Sequence, residues 1–368
     1  MGRALNGSAT KLARMDSPSR NERLPELDRL GLFQSLASGS GSVEYDSRER
    51  CRRNAELDLS DNQVRDLAPA SGLLGLRPSA RREDRVRLAI MSASFAQDCF
   101  ARQPYRDFHP CFLRALERFA IWPLPEEYDG LAAQVPRATD VRLPRFVSEN
   151  RDALRSVGGY EQHVAQLRAV PTRPGHFHDF FNMAVWAHFP KLRWALNALH
   201  VDPELGPKDP RNGRAPAQNL AATFDEAGML VISTSRSVLE ELRALRFKRA
   251  FWEQREELLS TTRFWVVGHG LLESLLVPHP GLSARSLLLH VPSLPSRDQP
   301  AMDALRFEID AVAAARIHSW RSGRTVLDPV PVLAIPGFSS NDSREFYEDM
   351  ANVRFEPSSR RPLDINAD

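Results

Sequence analysis

The sequence predicts a helix-rich α+β single domain with a small sheet, preceded by a poorly ordered N-terminal leader. Three observations predict this. Apolar residues recur at helical spacing in several long segments, short β-branched runs stand between them, and residues 1–84 show neither pattern. With 368 residues, 42% of them hydrophobic and 26% charged, the chain has apolar material for one large core or two modest ones. The expected organisation is a leader over 1–84, a globular domain over 85–360 and a tail over 361–368.

The leader mixes charges of both signs with Ser, Gly and Asn, as in the stretch 35–42 (SLASGSGS), so it is expected to be largely disordered with a short helix near Leu24 to Leu36. From Arg85 the apolar residues Val86, Ile90, Phe95, Phe112, Leu113, Leu116 and Phe119 suggest helices interrupted at Pro104 and Pro110. Prolines at 123, 125, 136, 144, 171 and 174 suit an irregular wrap that holds one helix near Tyr160 to Arg168. Residues 177–200 form the longest apolar helix candidate. After a proline-rich loop over 203–217, Ala221 to Phe224 and Met229 to Ser233 read as two strands joined by a tight turn through Asp225, Glu226, Ala227 and Gly228. A helix is expected over 238–259, a strand over 262–267, a helix over 269–277 and a strand over 331–335.

The net charge of +2 provides no field that would draw nucleic acid or an anionic membrane, so neither is an expected partner and a small-molecule ligand is. Lys11, Lys191, Lys208 and Lys248 are the only lysines among 49 basic residues; the rest are arginines, which suit bidentate pairing with carboxylates or phosphates. Cys51, Cys99 and Cys111 show no paired spacing, the N-terminus has no apolar signal region, and no run of about 18 apolar residues occurs. A cytoplasmic location is the expectation. No glycine-rich phosphate loop or dinucleotide fingerprint is present, so no nucleotide cofactor is indicated.

The most pointed chemistry is His176, His178, Asp179 and Asn182, set among Phe177, Phe180 and Phe181. The helix that follows Gly175 is apolar almost all the way round and should be buried. Polar groups on it cost a few kcal/mol unless they find partners. They can do so structurally, with Asp179 capping the helix and His178 and Asn182 satisfying neighbouring backbone, or functionally, as a base or as metal ligands. His176 and His178 also form an H-x-H pair, which in extended backbone points two imidazoles the same way. The pattern lacks the acid spacing and the last histidine of metallo-β-lactamase-like hydrolases, and shares only a dipeptide with HD-type phosphohydrolases.

A second constellation is His269 and Glu273, where a strand turns through Gly268 into a helix. There the helix dipole favours a neutral imidazole, and a carboxylate one turn on can orient it. We therefore expect His178, Asp179 and Asn182 to meet His269 and Glu273 in one catalytic pocket, with His176, His178, Asp179 and His269 as candidate ligands of a divalent metal. A side-chain separation above about 12 Å between His178 and His269 would exclude a shared site. The chemistry such a pocket suggests is metal-assisted hydrolysis; the rival reading is a non-catalytic binding or interaction protein with a structural polar core.

Three ordered segments carry a family resemblance: His178 to Asn182 continuing to Phe189, Pro190 and Lys191; Val267 to Glu273; and Pro331 to Gly337. With Pro171, Thr172 and Arg173 before the first and Phe224, Asp225, Glu226 and Gly228 between, residues 100–357 resemble the bacterial domain-of-unknown-function family 3025 (DUF3025). The resemblance implies no particular activity, but it supports a pocket built from these segments. The family pattern has a lysine after the glutamate, a tryptophan after the proline and glycine, and an aspartate near 219; this chain has Ser274, Phe338 and Asn219.

Overall fold

Helices and two small sheets share the described residues, 102–112, 123–322 and 325–349 of a computed structural model. The expected leader and tail, and most of the helices expected between Arg85 and Trp122, lie outside these residues. In chain order the elements are α1 (Glu127–Ala133), β1 (Arg145–Ser148), α2 (Arg151–Ser156), α3 (Tyr160–Leu167), β2 (Ala169–Thr172), α4 (Phe177–His188) and α5 (Pro190–Val201). There follow α6 (Pro216–Ala227), β3 (Gly228–Ser233), α7 (Arg236–Arg243), α8 (Arg255–Thr261), β4 (Thr262–Val266), α9 (His269–Ser274), β5 (Ser283–His290), α10 (Gln299–His318), β6 (Asp328–Pro331) and α11 (Arg344–Glu348). This is the α+β class that the sequence predicts.

The four-stranded sheet runs β4-β3-β5-β6, with β3 antiparallel to β4 and parallel to β5; a separate parallel pair joins β1 and β2. Every residue of β3 is buried, as its uninterrupted Met229-Leu230-Val231-Ile232 run requires of a central strand. The core joins the sheet to Phe180, Phe181, Val185 and Trp186 of α4, Leu192, Leu196 and Leu199 of α5, and Ile309 and Ile317 of α10. Among the described residues no helix is long and apolar enough to cross a membrane.

Four expectations need correction. The first is the 221–233 hairpin: residues 216–227 are helical and only 228–233 form a strand. Ala217, Ala221 and Phe224 are the buried stripe of α6 at spacings of four and three, Pro216 sits in its first turn, and the Gln218 side chain accepts the Ala215 amide at 2.9 Å. What reads as strand alternation is a helical stripe cut short.

The second is the single helix over 177–200, which breaks at Phe189, where Pro190 opens α5. Asp310 of α10 supplies the missing cap, accepting the amides of Lys191 and Leu192 at 2.9 and 2.8 Å. The third is the helix over 238–259. Leu245 takes a left-handed φ of 57°, Arg246 donates its amide to Glu241, and one π-helical turn at Arg249–Glu253 separates α7 from α8. The fourth is the strand over 331–335: β6 ends at Pro331, and Val332–Ala334 is a single 3-10 turn between Pro331 and Pro336.

β5, α10 and α11 carried no expectation: Leu287, Leu288 and Leu289 of β5 have no β-branched signal, and in α10 Asp303, Arg306 and Asp310 are buried among the apolar positions. The stretch 123–175, expected as an irregular wrap with one helix near Tyr160 to Arg168, also holds α1, α2, β1 and β2, because Asn150 caps α2 and β1 finds its partner in β2.

The antiparallel β3–β4 pairing sets Met229 opposite Val266. It therefore brings the C-terminal end of α6, which runs straight into β3, beside the N-terminal end of α9, which leaves β4. The amides of Val267 and Gly268 both donate to the Gly228 carbonyl, at 3.0 and 2.9 Å, and lock this junction. α4 packs across α9, and α6 packs against it. Three helices thus converge at one edge of the sheet.

Candidate metal centre

Two glycines let α9 come this close. A Cβ on Gly268 would lie 2.3 Å from the Gly228 nitrogen, and one on Gly270 would lie 2.2 Å from Glu226 Oε2. At Gly268 the neighbours are backbone and only glycine fits; at Gly270 a side chain would displace the Glu226 carboxylate. His269 is consequently held against the last turn of α6, its Nδ1 3.5 Å from Asp225 Oδ1 and its Nε2 3.6 Å from Glu226 Oε1.

From α4, His178 reaches the same place. Its ring meets that of His269 edge to face, with centroids 4.3 Å apart at 69°. Its Nδ1 is 3.2 Å from Glu273 Oε2, and its Nε2 is 4.0 Å from Glu226 Oε1. Each histidine thus has a carboxylate at Nδ1, Asp225 or Glu273, and both present Nε2 to Glu226. One ligand atom each from His178, Glu226 and His269 lies within 4.8 Å of the others, the group of His, Cys, Asp and Glu among the described residues that one cation can span.

The electrostatics of the two imidazoles differ. Burial, helped by the charges of His178 and Arg193 and only partly opposed by Glu226, pushes His269 down to about 3 and keeps it neutral. The cause is burial inside the cluster rather than the helix dipole expected from its position. Burial also lowers His178, but the Glu273 hydrogen bond and the charges of Glu226, Glu273 and Asp179 outweigh it, and its pKa is raised. Oε2 of Glu226 is buried and accepts no hydrogen bond.

The other expected site residues are placed differently. Asp179 does not turn to the histidines: Arg173 donates its amide and Nε to Oδ2, at 2.6 and 3.0 Å, and Nη2 to Oδ1 at 2.8 Å. Burial raises its pKa, yet this arginine clamp outweighs burial and holds the carboxyl below the usual range. Nor does it cap α4; the cap position is His176, half-buried and outside the three-ligand group. Asn182 donates Nδ2 to the Tyr160 hydroxyl at 2.9 Å and accepts from Arg193 Nη2 at 2.8 Å. Glu273 orients His178 across the helix interface rather than His269 on its own helix.

Asp225, Glu226 and Arg173 entered the sequence reading only through the family resemblance, with no role at the site, and Arg193 and Tyr160 were not singled out at all. The first two were placed in a turn, where acidic residues are ordinary; a helical reading of 216–227 would have put them at its C-terminal end, where acids are out of place unless partnered.

Fold and cluster together define an α+β domain with a histidine–carboxylate centre at the junction of a sheet edge and three helices. The sequence pattern of the family described as Protein of unknown function (DUF3025) matches residues 144–357, and the chain belongs to that family. Comparison with curated proteins and with solved structures gives no match. Every cluster residue lies in the matched stretch. Ser274 donates its hydroxyl to the Gly270 carbonyl at 2.8 Å, Asn219 accepts from Asn212 at 3.2 Å, and Phe338 is buried.

Proposed function

We propose that this chain is a hydrolase-type enzyme assisted by one divalent metal ion, held by His178, Glu226 and His269. The observation that carries the reading is the convergence of two imidazole Nε2 atoms and one carboxylate on a common point, with a second carboxylate behind each imidazole. Histidine ligands are characteristically fixed in this way, through the ring nitrogen that does not face the ion. Two histidines and a glutamate leave coordination positions for a water, whose pKa an ion such as zinc lowers toward neutrality.

The chain's own residues do the rest. His269 is neutral and ready to ligate, Gly268 and Gly270 give Glu226 room, and the partly exposed carboxylates of Glu226 and Glu273 mark the side from which a small-molecule substrate enters. Asp179 and Asn182, whose polar atoms are taken up by Arg173, Tyr160 and Arg193, belong to the scaffold in this reading. The same engagements favour the rival of a structural polar core for that half of the cluster.

The test is metal content of protein purified without a histidine tag, followed by hydrolysis assays on phosphoester, ester and amide substrates. One bound metal per chain, lost in His178→Ala, His269→Ala and Glu226→Gln together with any hydrolysis, is the expected result. Metal-free wild-type protein that also takes up no added Zn²⁺ refutes the reading; stoichiometric metal without turnover on any of these substrates reduces it to a metal-binding protein.

A further inference from the structure

Arg193 is an unusual residue to bury. It is 4% exposed, inside α5, and lies 5.1 Å over the Trp186 ring. A guanidinium in such a place is costly unless paired. Its Nη1 pairs with Asp225 Oδ1 and its Nη2 with Asn182, whose amide in turn holds Tyr160. Asp225 Oδ1 is the atom that faces His269 Nδ1. A file of polar side chains therefore runs from Tyr160 through Asn182 to Arg193 by hydrogen bonds, on to Asp225 by an ion pair, and ends with Asp225 Oδ1 3.5 Å from His269 Nδ1.

His269 lies between two carboxylates, Asp225 at Nδ1 and Glu226 at Nε2. A neutral imidazole carries one ring proton, and its position decides which nitrogen has the lone pair. With the proton on Nδ1, donated to Asp225, the lone pair at Nε2 faces Glu226 and His178. With the proton on Nε2, donated to Glu226, the ring is turned off as a ligand. Glu273 stands at Nδ1 of His178 from a partly exposed position; Asp225, with its side chain 13% exposed, is held beside His269 by the Arg193 guanidinium.

We propose that Arg193 is a positioning residue for the metal centre: by clamping Asp225 it keeps the His269 proton on Nδ1 and aims the Nε2 lone pair at the point shared with His178 and Glu226. The inference rests on the metal reading above for its purpose, but the tautomer it predicts is a property of the metal-free chain.

Long-range proton–nitrogen correlation spectra of ¹⁵N-histidine-labelled, metal-free full-length protein read that tautomer directly. The wild type should show His269 protonated at Nδ1, and Arg193→Gln should move the proton wholly or partly to Nε2. Competition with a chromogenic chelator should then show Zn²⁺ bound about 10- to 100-fold more weakly by Arg193→Gln. Should Arg193→Gln fail to fold, Arg193→Gln/Asp225→Asn leaves no buried charge unpaired, and the same tautomer shift and loss of affinity are expected. A wild-type His269 protonated at Nε2 overturns the proposal. So does a folded variant that keeps the wild-type tautomer, or one that shifts it and still binds Zn²⁺ within twofold of wild type. If the wild type binds no Zn²⁺ while the tautomer responds as described, the metal reading fails and the Arg193 effect on His269 stands.

Discussion

His178 and His269 are neighbours with opposite tendencies, because burial outweighs the pull of Glu226 on His269, whereas the Glu273 hydrogen bond and the charges of Glu226, Glu273 and Asp179 outweigh burial at His178. Sequence spacing named both of them and Glu273, since histidine at a strand-to-helix turn or on an apolar helix is conspicuous. It could not name Glu226 or Asp225, because acids beside a glycine look like a turn, nor Arg193, because nearly all the basic residues of this chain are arginines. The glycines beside His269 are the sharpest residue-scale prediction. Gly270→Ala places a methyl group where Glu226 Oε2 now lies and forces the carboxylate to turn, so Zn²⁺ binding by titration calorimetry should weaken. Overpacking there should cost about 1–3 kcal/mol of stability in a denaturant melt. Unchanged Zn²⁺ affinity in Gly270→Ala would mean that the ion does not depend on the present position of the Glu226 carboxylate.

Among the elements, the one that decides the site is α6, and its helical nature was hidden because its buried stripe of Ala217, Ala221 and Phe224 holds a single large apolar residue. The capping Gln218 and the neighbouring Pro216 are the local signals that outweigh the strand-like look of 221–224. The break between α4 and α5 was likewise hidden, because its partner, Asp310, is over a hundred residues away. That joint makes a pH prediction. Burial, opposed by the Lys191 and Leu192 amides, raises Asp310 to about 6. A carboxyl with a folded pKa above its unfolded one binds a proton first in the folded state, so stability from this group rises as pH falls from about 6 toward 4. Relative to Asp310→Asn, the wild type should therefore gain about 1 kcal/mol between pH 7 and pH 5, read as a rise of a few degrees in the difference of melting temperatures. A difference that is flat with pH would show the carboxyl to be solvated.

At the scale of the molecule, the α+β class and the central strand β3 were legible because a buried strand needs an unbroken apolar run. The strand order was not, since β5 lacks β-branched residues and its parallel pairing with β3 is non-local. That topology nevertheless builds the site: the β3–β4 register sets α6 against α9, and the core under α4 delivers His178 to both. An ion bound by three helices that meet only in the folded chain stabilises the whole. Zn²⁺ at 100 times its dissociation constant should raise the unfolding free energy by about 2.7 kcal/mol, and a chelator should reverse the gain. A melting temperature indifferent to Zn²⁺ and to chelator would show that no such ion ties the helices together.

The most direct measurement of the central claim is the zinc X-ray absorption spectrum of the Zn²⁺-loaded chain, compared with Glu226→Gln. The account predicts one zinc per chain with nitrogen and oxygen neighbours, multiple scattering from two imidazoles, and loss of the ordered shell in the variant. A sulfur shell, a different number of imidazoles, or a spectrum unchanged by Glu226→Gln would contradict it.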